Sequence, residues 1–314
     1  MIRLCVGLVV ILAVATINGL AEHPSASTAS RSPRTPWGDP DLQGVWSGID
    51  LIGVPLERDA QLGTRNELTE DEFQKRRARL VAGASSDNIE ATNFGAEPEL
   101  AQTHSRQASL IVVPVDGRLP PRVDRAKPPR PARTSFSPGP FNSIADFSLF
   151  DRCIAFTTIP AATAVNTVEI VQAPGYVAIV TEAIHDTRIV PLDGRPTVAT
   201  ALNSYLGDSR GRWEGETLVV LTLNLDGRTN LIGNVGATSS RATLVERYTR
   251  VGPDALSYEA TVEDPGTWTE PWTLSLPRRR DVDGTILEYA CHEGNYGLPN
   301  ILKASRAEDS HGQR

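Results

Sequence analysis

Positions 291–295 of the segment YACHEGNYG hold a Cys, a His, a Glu and an Asn. An imidazole beside a carboxylate is a pair that general acid/base chemistry uses, and it works near neutrality only when burial or a neighbouring charge moves the pKa values toward 7. His292 and Glu293 are therefore a candidate acid/base pair, with Tyr289 as a hydrogen-bond donor beside them and Asn295 and Tyr296 as substrate contacts. The competing reading is packing, in which Cys291 pins the chain and its polar neighbours satisfy loop backbone groups.

Two further stretches carry chemistry. In EAIHDTRIV, 182–190, His185 and Asp186 stand at a hairpin between two strands. The two-residue strand period then puts Arg188 on the face of Asp186 and turns His185 away. In GDSRGRWEGETLVV, 207–220, Arg210, Arg212 and Trp213 lead into a strand. A guanidinium is the natural two-point clamp for a carboxylate, so Arg188, Arg210, Arg212 and Trp213 are substrate-binding candidates. Two His with a carboxylate such as Glu293 or Asp186 would suit zinc or non-haem iron. Neither HxH nor HExxH spacing occurs, so the reading expects no cofactor and keeps metal as the minor alternative. Ser209 in GDSRG lacks the strand–elbow–helix context of a nucleophilic serine. No phosphate loop or dinucleotide fingerprint is present.

These residues need a scaffold, and the pattern from about 167 onward supplies one. Strands are expected over 167–173, 176–183, 186–192, 217–225, 242–251, 255–264, 267–276 and 285–291, with turn residues between and clear alternation at Leu256, Tyr258, Ala260 and Val262 and at Trp272, Leu274 and Leu276. Period two with short turns means antiparallel strands. So many strands need their edges closed, and a calycin-like barrel or a strongly curved sheet does that while leaving room for one small ligand. The fold expected is mainly β, with an N-terminal helical and extended arm. In that arm LTEDEFQKRRARLVAG, 68–83, reads as a helix opened by a Thr69/Glu72 capping box. A strand is expected from 110 into the Asp116–Gly117 turn, and 120–140 reads as a Pro- and Arg-rich linker.

The N-terminus reads as a secretory signal: Arg3, an apolar run from Leu4 to Ile17, then small residues ending at Ala21. The expected division is a signal peptide over 1–21, a flexible leader over 22–35, the arm over 36–140 and the β domain over 141–314. The expected location is periplasmic or secreted. Cleavage leaves two cysteines, Cys153 and Cys291, 138 residues apart. In an oxidising compartment that pair predicts a disulfide. The net charge of −7 and pI near 5.4 argue against nucleic acid and against an anionic membrane surface.

The segments TPWGDPDLQGVW, VQAPGYVAIVTEAIHDTRIVPLDGRP, GDSRGRWEGETLVV, VEDPGTWTEPWT and EYACHEGNYGLPNIL together resemble a large family of exported, largely uncharacterised proteins of soil bacteria. The resemblance implies export and supplies no reaction. Three functional classes follow from the residues. The first is a cofactor-independent lyase, isomerase or hydrolase using His292 or His185 as acid/base. The second is a lipocalin-like protein that binds a small molecule without turnover. The third is a structural envelope protein. An enzyme sets a His into a pocket with carboxylate or Arg neighbours, a binder leaves both His outside its cavity, and a structural protein has no cavity of ligand size.

Overall fold

The computed structural model describes residues 33–84, 104–123, 141–160, 167–198, 202–228, 230–232, 235 and 238–312. The signal segment and most of the leader, together with 124–140 of the proline-rich stretch, lie outside the described residues.

Alternation governs the main element. Along Ala255–Glu263 the residues Leu256, Tyr258, Ala260 and Val262 are buried, and the residues between them are not. Eleven strands form one sheet: β1 Gly44–Ser47, β2 Ile111–Val113, β3 Val168–Ala173, β4 Tyr176–Thr181, β5 Thr187–Pro191, β6 Asp208–Glu214, β7 Thr217–Leu223, β8 Thr243–Gly252, β9 Ala255–Glu263, β10 Trp272–Ser275 and β11 Arg278–Asp281. The main path runs β5-β4-β3-β1-β11-β9-β8-β7-β6, with β10 paired to β9 and to β2. Every pairing between these strands is antiparallel.

The path ends, β5 and β6, face each other across a seam. At its tight end Gly211 has no side chain because an added Cβ would stand 2.6 Å from Leu192 and 2.7 Å from Val190. The missing side chain leaves room for the Leu192 and Val190 methyl groups to pack over the β6 backbone. The sheet is thus a nearly closed barrel whose inner face is the core, with Trp46, Trp272, Tyr248 and Tyr258 its largest fully buried side chains. The fold is mainly antiparallel β, as the alternation predicts.

The helical expectation also holds. α1 spans Glu70–Ala84. Glu72 accepts the Thr69 N–H at 2.8 Å while Thr69 Oγ1 accepts the Glu72 N–H at 3.3 Å, a reciprocal cap that satisfies two backbone donors.

Four elements differ from expectation. The WGDPDLQGVW stretch enters the sheet as β1 between β3 and β11. Its approach is stitched down by Gln172, which accepts the Leu42 N–H at 2.7 Å and donates to Pro40 O at 3.1 Å. The GDSRGRWE stretch, read as leading into a strand, is itself strand β6 from Asp208 to Glu214, turned into β7 at Gly215. The strand expected at 285–291 is absent. The chain instead forms β11 at 278–281, whose Arg-rich sequence shows no apolar alternation; only Arg278 of it is buried, and backbone pairing with β1 and β9 holds it. With β11 flanked on both edges, no position in the sheet remains beside it for TILEYAC. Last, Gly297–Gly312 forms a second helix, α2, whose Ser305 Oγ accepts the Phe141 N–H at 2.8 Å.

Candidate functional site

Away from Gly211 the seam opens. Between the start of β5 and the start of β6 lies a cleft of about 370 Å³, walled by Ile154–Ala155, Asp186–Ile189 and the loop 204–207 running into Asp208 and Ser209. A volume of that order fits a small metabolite. Its lining is polar in the right places: Asp186 on one wall, Asp208 and Tyr205 on the other, Arg188 and Ser209 where the strands turn inward.

Below the cleft the barrel interior carries a polar layer. Arg188 binds Glu246 of β8 through two parallel contacts, Nη1 to Oε2 at 2.5 Å and Nη2 to Oε1 at 2.7 Å. Tyr248 and Tyr258 stack with ring centroids 4.5 Å apart, and each hydroxyl donates to the same Oε1 at 2.8 Å. Ser209 and Thr222 hydroxyls share a hydrogen bond of 2.8 Å on the seam side. Arg278 closes the layer, lying 5.7 Å from the Tyr258 ring centroid and donating to Pro160 O at 2.7 Å.

The electrostatics follow from burial. Loss of water works against the Arg188 charge, but Glu246 more than offsets it, so the guanidinium holds its proton more tightly than usual. Burial and the Glu246 charge both push the Tyr248 and Tyr258 hydroxyls upward, keeping them as neutral donors. Burial alone pulls Arg278 down. On the cleft wall burial raises Asp186, against the partial relief of the Phe156 N–H and the Arg188 charge. The Phe156 N–H reaches Asp186 Oδ2 at 2.9 Å.

The sequence-predicted residues divide into three places. Arg188 stands in the cleft floor, on the face of Asp186 as expected. The three β6 candidates do not join it. Arg210 and Arg212 alternate away from Ser209 and Gly211; Arg210 pairs with Asp208 and donates to Pro196 O, and Arg212 pairs with Glu214 at 2.5 Å. Trp213 packs against the barrel core. The C-terminal candidates form a clamp outside the cleft lining. Cys153 and Cys291 are disulfide-bonded with Cα atoms 5.8 Å apart, as predicted. Asn295 donates to Asp151 O at 3.3 Å, across the disulfide from its own strand of chain. His185 Nε2 accepts the Tyr289 backbone N–H at 3.1 Å, so the hairpin and the C-terminal segment do meet. The Tyr289 ring sits 6.3 Å from that of Phe150, and burial raises its hydroxyl pKa. His292, Glu293 and Tyr296 are exposed, Tyr296 by 73%. His185 and His292 therefore do not meet in a shared pocket.

Sequence reasoning missed Glu246, Tyr248, Tyr258, Thr222 and Arg278. One signal was present. In TLVERYTRV, Glu246 lies in phase with Leu244 and Tyr248, so a charged residue occupies a core-facing position, and buried charges need partners.

Among the described residues no group of three or more His, Cys, Asp or Glu converges as a metal site, and no helix is long and apolar enough to cross a membrane. No protein-family model matches the chain, and no curated protein matches it in sequence.

Proposed function

We propose that the chain is an exported protein of the soil-bacterial family whose motifs it resembles, and that it binds a small polar molecule in the β5–β6 seam cleft. The observation that carries this reading is the cleft itself: about 370 Å³, set between two strand starts, with Asp186, Arg188 and Ser209 converging on it. Strands β5 and β6 hold Arg188 and Ser209, Asp186 stands at the turn just before β5, and the Glu246 pair fixes the rotamer of Arg188, which is the preorganisation a binding site needs. A ligand-sized cavity counts against a purely structural role. A disulfide fits an oxidising compartment.

A second reading has its own support. A carboxyl raised by burial on a cleft wall suits general acid/base work. Asp186 would then be the catalytic group of a lyase, isomerase or hydrolase. His292 and His185 draw no support for that role, since neither lines the cleft.

Affinity selection tests the reading. Mature protein is incubated with fractionated soil or plant metabolites, and retained and consumed compounds are read by mass spectrometry. Thr187→Trp fills the rim from an exposed strand position that favours aromatic side chains. Binding predicts a compound retained by the wild type and lost from this variant. Equal retention by both would reject the cleft. A compound consumed by the wild type but not by Asp186→Asn would favour the enzyme.

A further inference from the structure

Charge pairing in the seam cleft narrows the class of ligand, given that the cleft is the binding site. Four ionisable side chains bear on it. Arg188 is saturated by Glu246 through two contacts. Asp208 is paired with Arg210 and also accepts the Val198 N–H at 2.7 Å. Tyr205 carries Arg228 over its ring at 4.9 Å, and Arg228 is itself paired with Asp226 at 2.6 Å. Each of these sets is neutral. Asp186 is the exception. One of its oxygens takes a single backbone N–H, and no ion pair reaches it among the described residues. The cleft therefore holds one carboxylate on a half-buried wall that has no ion pair of its own and, beyond the Phe156 N–H, is eased only by the Arg188 charge, which Glu246 already neutralises.

Water that leaves such a site on binding removes solvation from that charge, so a ligand without a counter-charge worsens the position of the carboxylate. A ligand that brings a cation restores it through a charge-assisted hydrogen bond. A carboxylate ligand is disfavoured twice, by repulsion from Asp186 and because Arg188 has already committed both terminal nitrogens to Glu246.

We propose that the seam cleft selects small molecules bearing a protonated amine or guanidinium group, which pairs with Asp186 while the rest of the molecule lies against Ser209 and the Tyr205 loop.

The order is the reverse of the clamp role that the sequence suggested for arginine: here Arg188 is a positioning residue, held by Glu246, and the acid makes the contact. The charged and titratable groups around Asp186 are Arg188 on β5, Asp208 on β6, Tyr205 on the 204–207 loop, and His185 and Glu182 on the preceding turn. Amine binding should accordingly weaken as pH falls through the raised Asp186 pKa, because a protonated acid no longer pairs with a cation.

The test uses four-carbon probes on isotopically labelled mature protein: n-butylamine, n-butanol and sodium butyrate, titrated at neutral pH and followed by amide NMR. The expected result is a response to butylamine at residues 186–189 and 204–209. Butanol should bind about tenfold or more weakly and butyrate weaker still, the ratio that a single charged hydrogen bond of about 1.5–3 kcal/mol supplies. Asp186→Asn should abolish the preference for the amine. Butanol binding the cleft as well as butylamine does, or an amine preference that survives in Asp186→Asn, overturns the ligand class and leaves the cleft as the site. Absence of any response at the seam, with Thr187→Trp also without effect on metabolite retention, overturns both. If Asp186→Asn does not fold, the amine-to-alcohol ratio in the wild type decides alone.

Discussion

Two polar regions of this barrel have opposite character. The C-terminal clamp, Tyr289–Tyr296, gathers the residue types that announce chemistry, yet His292, Glu293 and Tyr296 point to solvent and the segment is held by a disulfide and side-chain bonds to backbone. The interior layer under the seam is scattered over β5, β6, β7, β8, β9 and β11, and its carboxylate is fully buried with four donors converging on it. Density of reactive types along a chain is thus a poor guide here. What distinguishes the interior is desolvation, which makes each polar contact matter, whereas exposed groups in the clamp exchange their contacts with water.

The comparison is sharpened most by removing its two fastenings. Replacing Cys153 and Cys291 by Ser opens a cross-link spanning 138 residues. The chain-entropy model gives about 5 kcal/mol for such a loop, an upper figure, to be read by urea unfolding. Ligand retention should survive in whatever fraction stays folded. In the interior, Glu246→Leu leaves Arg188 buried without its partner and two tyrosine hydroxyls without an acceptor, and should cost about 3–5 kcal/mol. Adding Arg188→Met should recover part of that loss, because the buried charge leaves with it. A Glu246→Leu protein as stable as the wild type would show that the layer is hydrated and not a core.

Asp186 gives a smaller effect with a defined pH signature. Its folded pKa lies above the ordinary carboxylate value of 3.8, so the native state holds the proton more tightly than the unfolded chain. The group therefore supports folding at low pH, and that support is lost as pH rises from the ordinary value through the raised one. Asp186→Asn should melt higher than the wild type at neutral pH, with the gain vanishing below the ordinary value. A uniform shift across pH would point to altered packing instead. Smallest are the two histidines. His185→Ala removes the acceptor for the Tyr289 N–H and should cost about 1 kcal/mol. His292→Ala, at an exposed position, should stay within about 0.5 kcal/mol and leave binding unchanged. Loss of binding in His292→Ala would return the site to the clamp.

The barrel was legible because its strands obey a two-residue period: Leu256, Tyr258, Ala260 and Val262 announce the inner face directly. The cysteine pair was legible because, once the N-terminal segment is read as removed, two thiols remain and each has one possible partner. β11 was not, since PRRRD carries no apolar pattern and its strand state depends on β1, more than two hundred residues earlier. α2 was missed for a related reason: it follows a glycine-rich turn that reads as loop. The site was half legible. Arg188 and Asp186 were adjacent on one predicted face, but the seam between β5 and β6 exists only once the sheet curls, and period two alone gives no closure.

Hydrogen exchange tests the central claim most directly. The protein is exchanged with and without the metabolite fraction it retains, and peptides are compared by mass spectrometry. Binding in the seam predicts slower exchange over 186–189 and 204–209, with 287–296 unchanged. Protection confined to 287–296, with the seam untouched, would contradict the account.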